Sequence, residues 1–179
     1  MAASKRFTSL VWEAFRTNAG HDANSFGHMK VLDAKPGKVW AEMEVKRHQD
    51  RGQIADGQIA ELSLHGGLIA SLIDTTGSLA LASRGMYMTG VSTDINATYV
   101  RGAALGEVIR VRGEVVNMGR TLAFTRIELE SAKTGKLLAY GSHTKFIADA
   151  LKSPKNIKLS EDGETVVEGT MPEEGELKN

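Results

Sequence analysis

Apolar and polar positions change period several times along this 179-residue chain, and each change marks an element. Leu10, Val11 and Phe15 recur at helical spacing in a basic N-terminal stretch. Two readings of that stretch are open: an amphipathic transit peptide, or a short helix packed on the domain, which we prefer. Val39, Ala41, Met43 and Val45 then alternate with Trp40, Glu42 and Glu44, the pattern of a half-buried strand. Pro36-Gly37 is turn chemistry, so Met29 to Lys35 is expected as the antiparallel strand before it. Residues 47–62 carry a near-repeat, Gly52-Gln53-Ile54-Ala55 and Gly57-Gln58-Ile59-Ala60, and read as an exposed loop lengthened by an insertion.

His65-Gly66-Gly67 opens an apolar stretch that runs to about Ser83. Leu68, Ile69, Leu72, Ile73, Leu79, Ala80 and Leu81 cover most of a helical surface. Ser71, Asp74, Thr75 and Ser78 share one narrow polar stripe. A helix that is apolar nearly all round is wrapped by other elements. Alternating runs follow at Val91–Val100, Val108–Val116, Leu122–Ser131 and Leu137–Ile147. Asn117-Met118-Gly119-Arg120 and Thr134-Gly135 mark the turns between the last three. The order strand–strand–helix–strand–strand–strand–strand predicts an α+β domain in which one antiparallel sheet curls around a single helix. Residues 1–28 are read as an N-terminal helical segment, 29–149 as the domain, and 150–179 as an acidic tail without a fixed fold. That tail lacks aromatic residues and holds two of the three prolines.

Composition narrows the chemistry. The chain has no cysteine, which removes disulfides, thiolate metal sites and cysteine nucleophiles. Five scattered histidines show no His-x-x-x-His pairing, so no metal site is expected; His21, His28 and His48 read as loop or surface residues. No apolar run is long enough to span a membrane. The 22 basic residues equal the 22 acidic ones. The balance is uneven, however: residues 150–179 carry seven acids and four bases, which leaves residues 1–149 at +3. This distribution excludes an extended polyanion such as nucleic acid more firmly than a small anionic ligand.

Two features on the central helix carry candidate chemistry. A helix N-terminus presents unpaired amides and partial positive charge, and glycine there lets a ligand oxygen approach closely. His65-Gly66-Gly67 therefore suits an oxyanion hole, with the Gly66 amide as donor and His65 as a cap that shapes the pocket. Asp74 is read as a buried carboxylate, costly unless paired, and so as a general base or nucleophile, or else as a structural acid at a subunit contact. It lies nine residues beyond His65, about 13 Å along the axis and on nearly the opposite face. If both ends act on one substrate, Asp74 must come from a second copy, and the site belongs to a two-fold dimer. Ser92, placed on one strand face with Asp94 and Asn96, is read as a hydroxyl that orients water or Asp74. No Gly-x-Ser-x-Gly motif supports a serine nucleophile.

The segments LHGGLIASLID and GVSTDINATYVRGAALGEVIRVRGEVVNMGRTLAFTRIELESAKTGKLLAYGSHTKF resemble the hotdog-fold acyl-CoA thioesterases of the phenylacetate-degradation type. The resemblance spans about residues 29–148. It implies hydrolysis of fatty or aryl acyl-CoA to free acid and CoA, with no metal or separate cofactor, in a homotetramer built from two dimers. The compartment it implies is cytoplasmic or mitochondrial. It assigns catalysis to Asp74, Gly66, His65 and Ser92. Substrate contacts fall on Gly67, Asp94, Tyr99, Arg101, Gly102, Ala103, Asn117, Gly119, Arg120 and Thr121, with Arg101 and Arg120 toward the CoA phosphates. One position departs: the family carries an asparagine shortly before the His-Gly-Gly histidine, and here Ile59 stands at that spacing. Gln58, Asp50, Arg51 and Gln53 are the candidates to replace it. The departure leaves a hotdog CoA-ester-binding protein without turnover as the alternative. A hotdog dehydratase fits less well, because His65 at a helix cap is poorly placed for proton transfer.

Overall fold

The computed structural model describes residues 1–47, 54–55, 58–59 and 63–173. Helix α1 (Ala3–Thr17) turns Phe7, Leu10, Val11 and Trp12 into the core; of the residues its spacing singled out, Leu10 and Val11 are buried and Phe15 is half-buried against them. The Trp12 indole N–H donates to the Met29 carbonyl at 2.9 Å, and its ring stacks on Phe26 at 6.1 Å. Phe26 ends a short helix that the spacing did not announce, α2 (His21–Phe26). Strands β1 (Lys30–Lys35) and β2 (Lys38–Glu44) form the hairpin predicted around Pro36-Gly37. In the segment read as a plain loop, the backbones of β3 (Ile54–Ala55) and β4 (Gln58–Ile59) pair antiparallel, so the two halves of the near-repeat meet each other. Asp50, Arg51 and Gln53 lie outside the described residues.

Helix α3 (Gly66–Ala82) is the central element. His65 caps it, its Nδ1 accepting from the Gly67 amide at 2.9 Å, and Gly85 at φ +90° lets the chain leave its C-terminus. Leu72, Ile73, Leu79 and Ala80 are wholly buried, as a wrapped helix requires. Strands β5 (Val91–Tyr99), β6 (Val108–Met118), β7 (Leu122–Ser131) and β8 (Leu137–Phe146) complete one six-stranded antiparallel sheet in the order β1-β2-β6-β7-β8-β5. Val39, Ala41, Met43, Ile109, Val111, Ile127 and Leu129 line its concave face against α3. This is the hotdog arrangement. Strand β5 is an edge: it pairs with β8 and leaves its other side open.

Residues 150–173 correct the reading of a tail without a fold. A 3-10 turn (Ala150–Lys152) leads to a hairpin of β9 (Lys158–Leu159) and β10 (Val166–Glu168). Ile157 is buried in the core, and its amide donates to the Gly85 carbonyl at 2.9 Å. The hairpin's Gly163 and Glu164 carbonyls accept the Ser4 and Ala3 amides at 2.9 and 3.2 Å, and so cap α1. A few apolar contacts and these caps hold the segment. Its abundant surface acids hid them.

Candidate active site

The polar stripe of α3 faces α2, β5 and β8, and each of its residues has a partner there. Ser71 Oγ lies 2.9 Å from His21 Nε2, and Thr75 Oγ1 donates to Asp22 Oδ2 at 3.1 Å, both partners belonging to α2. Ser78 Oγ accepts from Lys145 Nζ at 2.7 Å. Asp74 Oδ1 lies 3.2 Å from Ser92 Oγ, 3.4 Å from His143 Nε2 and 3.9 Å from Lys145 Nζ. The Asp74 side chain is 41% exposed, so the expected burial is not met in a single chain. Its opening to solvent follows from its place beside the β5 edge.

A bulge decides which residues join Asp74. Ser92 pairs with Lys145 and Asp94 with Thr144, so β5 advances two residues while β8 advances one. Ser92 therefore turns toward α3, while Asp94 and Asn96 turn to the opposite face of the sheet. Strict alternation had grouped all three together. On β8 the inward positions opposite this end are His143 and Lys145, and neither was expected in the site. The sequence signal was available: Gly141, His143 and Lys145 continue the inward face of a strand whose neighbours are apolar.

His143 is wholly buried, and Gly77 makes its place: a Cβ at residue 77 would stand 2.7 Å from His143 Nδ1. Burial, with the Lys145 cation beside it, pushes the imidazole down to about 4, so the ring is neutral at physiological pH. Its Nδ1 has no hydrogen-bond partner among the described residues. Its Nε2 lies 2.9 Å from Ser92 Oγ. One proton per group is satisfied if Nε2–H donates to Ser92 and Ser92 donates to Asp74. Ser92, His143 and Asp74 thus meet without forming a nucleophilic triad, because serine and aspartate share one ring nitrogen. Burial likewise holds the Lys145 ammonium below the ordinary lysine range, against the pull of Asp74 and Asp22.

The N-terminus of α3 holds a second group. The Gly66 N–H donates no hydrogen bond among the described residues, whereas the Gly67 N–H donates to the His65 ring. The Tyr99 hydroxyl donates to the Gly66 carbonyl at 3.1 Å, and its ring lies against the Gly66 Cα. Arg101 is held by Glu107 at 2.8 Å, which depresses the Glu107 carboxyl. Gly102 abuts Ser63, and the buried Ala103 accepts the Leu64 amide at 2.9 Å. Asn117, Gly119, Arg120 and Thr121 are exposed in the β6–β7 hairpin, near the Asp74 end, and Arg120 makes no ion pair among the described residues. Gly66 and Asp74 stand eight residues apart on one helix, about 12 Å.

The model of the thioesterase superfamily matches residues 63–138, which hold α3, β5, β6 and β7. A putative esterase of Schizosaccharomyces pombe is 35% identical over 158 residues, covering 87% of this chain and 92% of the relative. The chain belongs to the thioesterase superfamily. Human acyl-coenzyme A thioesterase 13 is 38% identical to this thioesterase over 133 residues, 74% of this chain and 89% of the human one. Among solved structures, mouse thioesterase superfamily member 2 is 33% identical with a TM-score of 0.66, covering 78% of this chain and 96% of that one. The zebrafish member 2 is 36% identical with a TM-score of 0.65, covering 76% and 92%. The protein is a thioester hydrolase with the hotdog fold. No helix among its described residues is long and apolar enough to cross a membrane.

Proposed function

We propose that the protein hydrolyses fatty or aryl acyl-CoA thioesters to free acid and CoA, at a site completed by a second copy of the chain. The observation that carries this reading is the separation of the two chemical groups along one edge. The unpartnered Gly66 amide stands at the N-terminus of α3 and Asp74 at the middle of the helix, and the two lie beside Tyr99 and Ser92 of the edge strand β5. Val91, Ile95, Tyr99 and the following Val100 are exposed on this strand, which is paired on one side only. Antiparallel pairing of two β5 edges would bring the Asp74 end of one copy to the Gly66 end of the other.

In the reaction, Asp74 takes a proton from water while Ser92 and His143 hold the carboxylate in place. The water oxygen adds to the thioester carbonyl carbon, and the partner copy's amide at residue 66 receives the oxyanion. Collapse breaks the C–S bond, and the CoA thiolate leaves with the proton that Asp74 had taken. Each side chain in this scheme belongs to the chain itself, so no metal or cofactor besides the substrate's own CoA is invoked. Arg120 is the freer of the two candidate phosphate partners, since Arg101 is paired with Glu107.

Thiol release from a panel of fatty and aryl acyl-CoA esters tests the reading. Wild type should turn over, and Asp74→Asn should lose at least about 100-fold in kcat. Equal rates would remove Asp74 from the mechanism. Ile59, at the spacing where the family resemblance implies an asparagine, favours the one competing reading, a CoA-ester-binding protein. Tight acyl-CoA binding without thiol release would establish that reading instead.

A further inference from the structure

The Asp74 site contains a buried charge that the scheme above does not use. Lys145 stands on β8 opposite Ser92 of β5 and Ala123 of β7, on the inward face of the sheet, and is 4% exposed. Its ammonium carries three N–H donors, and one of them goes to Ser78 Oγ at 2.7 Å. It makes no other hydrogen bond among the described residues. Asp74 stands one helical turn before Ser78 on α3, and its Oδ1 atom lies 3.9 Å from the same ammonium. No other acid of the described residues comes within ion-pair distance of Lys145. A buried ammonium with one hydrogen bond is costly where an apolar side chain would pack as well. Packing alone therefore gives no reason for a lysine at this position.

The contacts of Asp74 are one-sided. Ser92 Oγ at 3.2 Å, His143 Nε2 at 3.4 Å and Lys145 Nζ at 3.9 Å all converge on Oδ1. Oδ2 accepts no hydrogen bond among the described residues, and the side chain is partly open to solvent. Of the three groups on Oδ1, Ser92 is uncharged and the buried His143 ring is neutral at physiological pH, so Lys145 alone brings positive charge. We infer that Lys145 is a positioning residue: fixed by Ser78, its ammonium holds the Oδ1 side of the Asp74 carboxylate in the site and leaves Oδ2 to take the proton from water. At 3.9 Å the contact is ionic rather than a hydrogen bond, so it attracts the carboxylate without occupying a lone pair. The inference rests on the reading of Asp74 as the base.

Steady-state kinetics on the best substrate of the acyl-CoA panel decide the matter. Lys145→Met keeps an unbranched chain in the buried position and removes only the charge. It should lower kcat about tenfold, within the coupling of residues in one network, and leave KM within about twofold. In an Asp74→Asn background the same substitution should change kcat by less than about twofold, because no base is left to hold. The absence of cysteine from the chain opens a second route. Lys145→Cys can be alkylated while unfolded and then refolded: 2-bromoethylamine restores an ammonium at lysine's length, and iodoacetamide adds a neutral amide. The aminoethylated protein should recover most of the wild-type kcat, and the neutral adduct should not. A kcat of Lys145→Met equal to wild type overturns the inference, as does an equal loss with and without Asp74. An aminoethylated protein no more active than the neutral adduct also overturns it, whether or not Lys145→Met folds. Asp74→Asn separates the two levels. An active Asp74→Asn defeats the reading of the site and this inference together, whereas an inactive one beside a normal Lys145→Met defeats the inference alone.

Discussion

At the scale of single residues, the energetics of this site are dominated by polar groups placed where a strand would ordinarily bury apolar ones. His143 shows what that costs. Its folded value of about 4 lies below the value of about 6.5 for an imidazole in an unfolded chain. Between those two values the unfolded state binds more protons than the folded one, so stability is full above about 6.5 and falls as pH drops toward about 4. The loss attributable to this residue is at most about 3 kcal/mol. Urea unfolding at a series of pH values should show that slope in the wild type. His143→Gln, which has no proton to gain, should lack most of it while the acid unfolding of the carboxylates remains.

At the scale of elements, legibility followed the depth of burial. Strands β2, β6 and β7 could be read within two residues because each packs one face on α3, which forces a period of two. Helix α3 was legible because its polar residues sit on one stripe of an otherwise apolar cylinder. The Asp74 and Gly66 ends of the site lie on that helix, and so they too could be picked out. What escaped depends on contacts rather than on period. The bulge between Ser92 and Asp94 leaves the sequence alternation intact and changes only the pairing. Helix α2 is six residues long, too short to hold itself, and is secured by Phe26, His21 and Asp22 against other elements. The β9–β10 hairpin has so few apolar residues that its charge dominated the reading. The structure gives that hairpin a measurable role. Ile157→Ala should cost about 2 kcal/mol in a urea melt, since it vacates a core site. Glu161→Ala on the same segment should stay within about 0.5 kcal/mol. A segment without a fold would show no difference between the two.

At the scale of the whole molecule, the decisive question is whether one chain can build the site. The Gly66 amide proposed for the thioester carbonyl and the Asp74 carboxylate proposed for the water stand about 12 Å apart along α3, one beside Tyr99 and the other beside Ser92 near the two ends of β5. Two variants separate these ends cleanly. Asp74→Asn disables the water end. Gly66→Pro disables the other: residue 66 is the first helical position, where proline keeps the helix geometry and removes only the amide hydrogen. His65 already has the extended backbone that a following proline requires, at φ −65° and ψ 133°. The new ring would meet Tyr99 at 3.3 Å, a side chain at the surface with room to shift. Each variant alone should lose at least about 100-fold in kcat. Mixed in equal amounts and allowed to exchange subunits, they should regain about a quarter of wild-type activity. Half of the dimers would then be mixed, and each mixed dimer would hold one site with both groups intact. If each chain instead carried a complete site of its own, mixing would restore nothing, because every chain would keep its own defect.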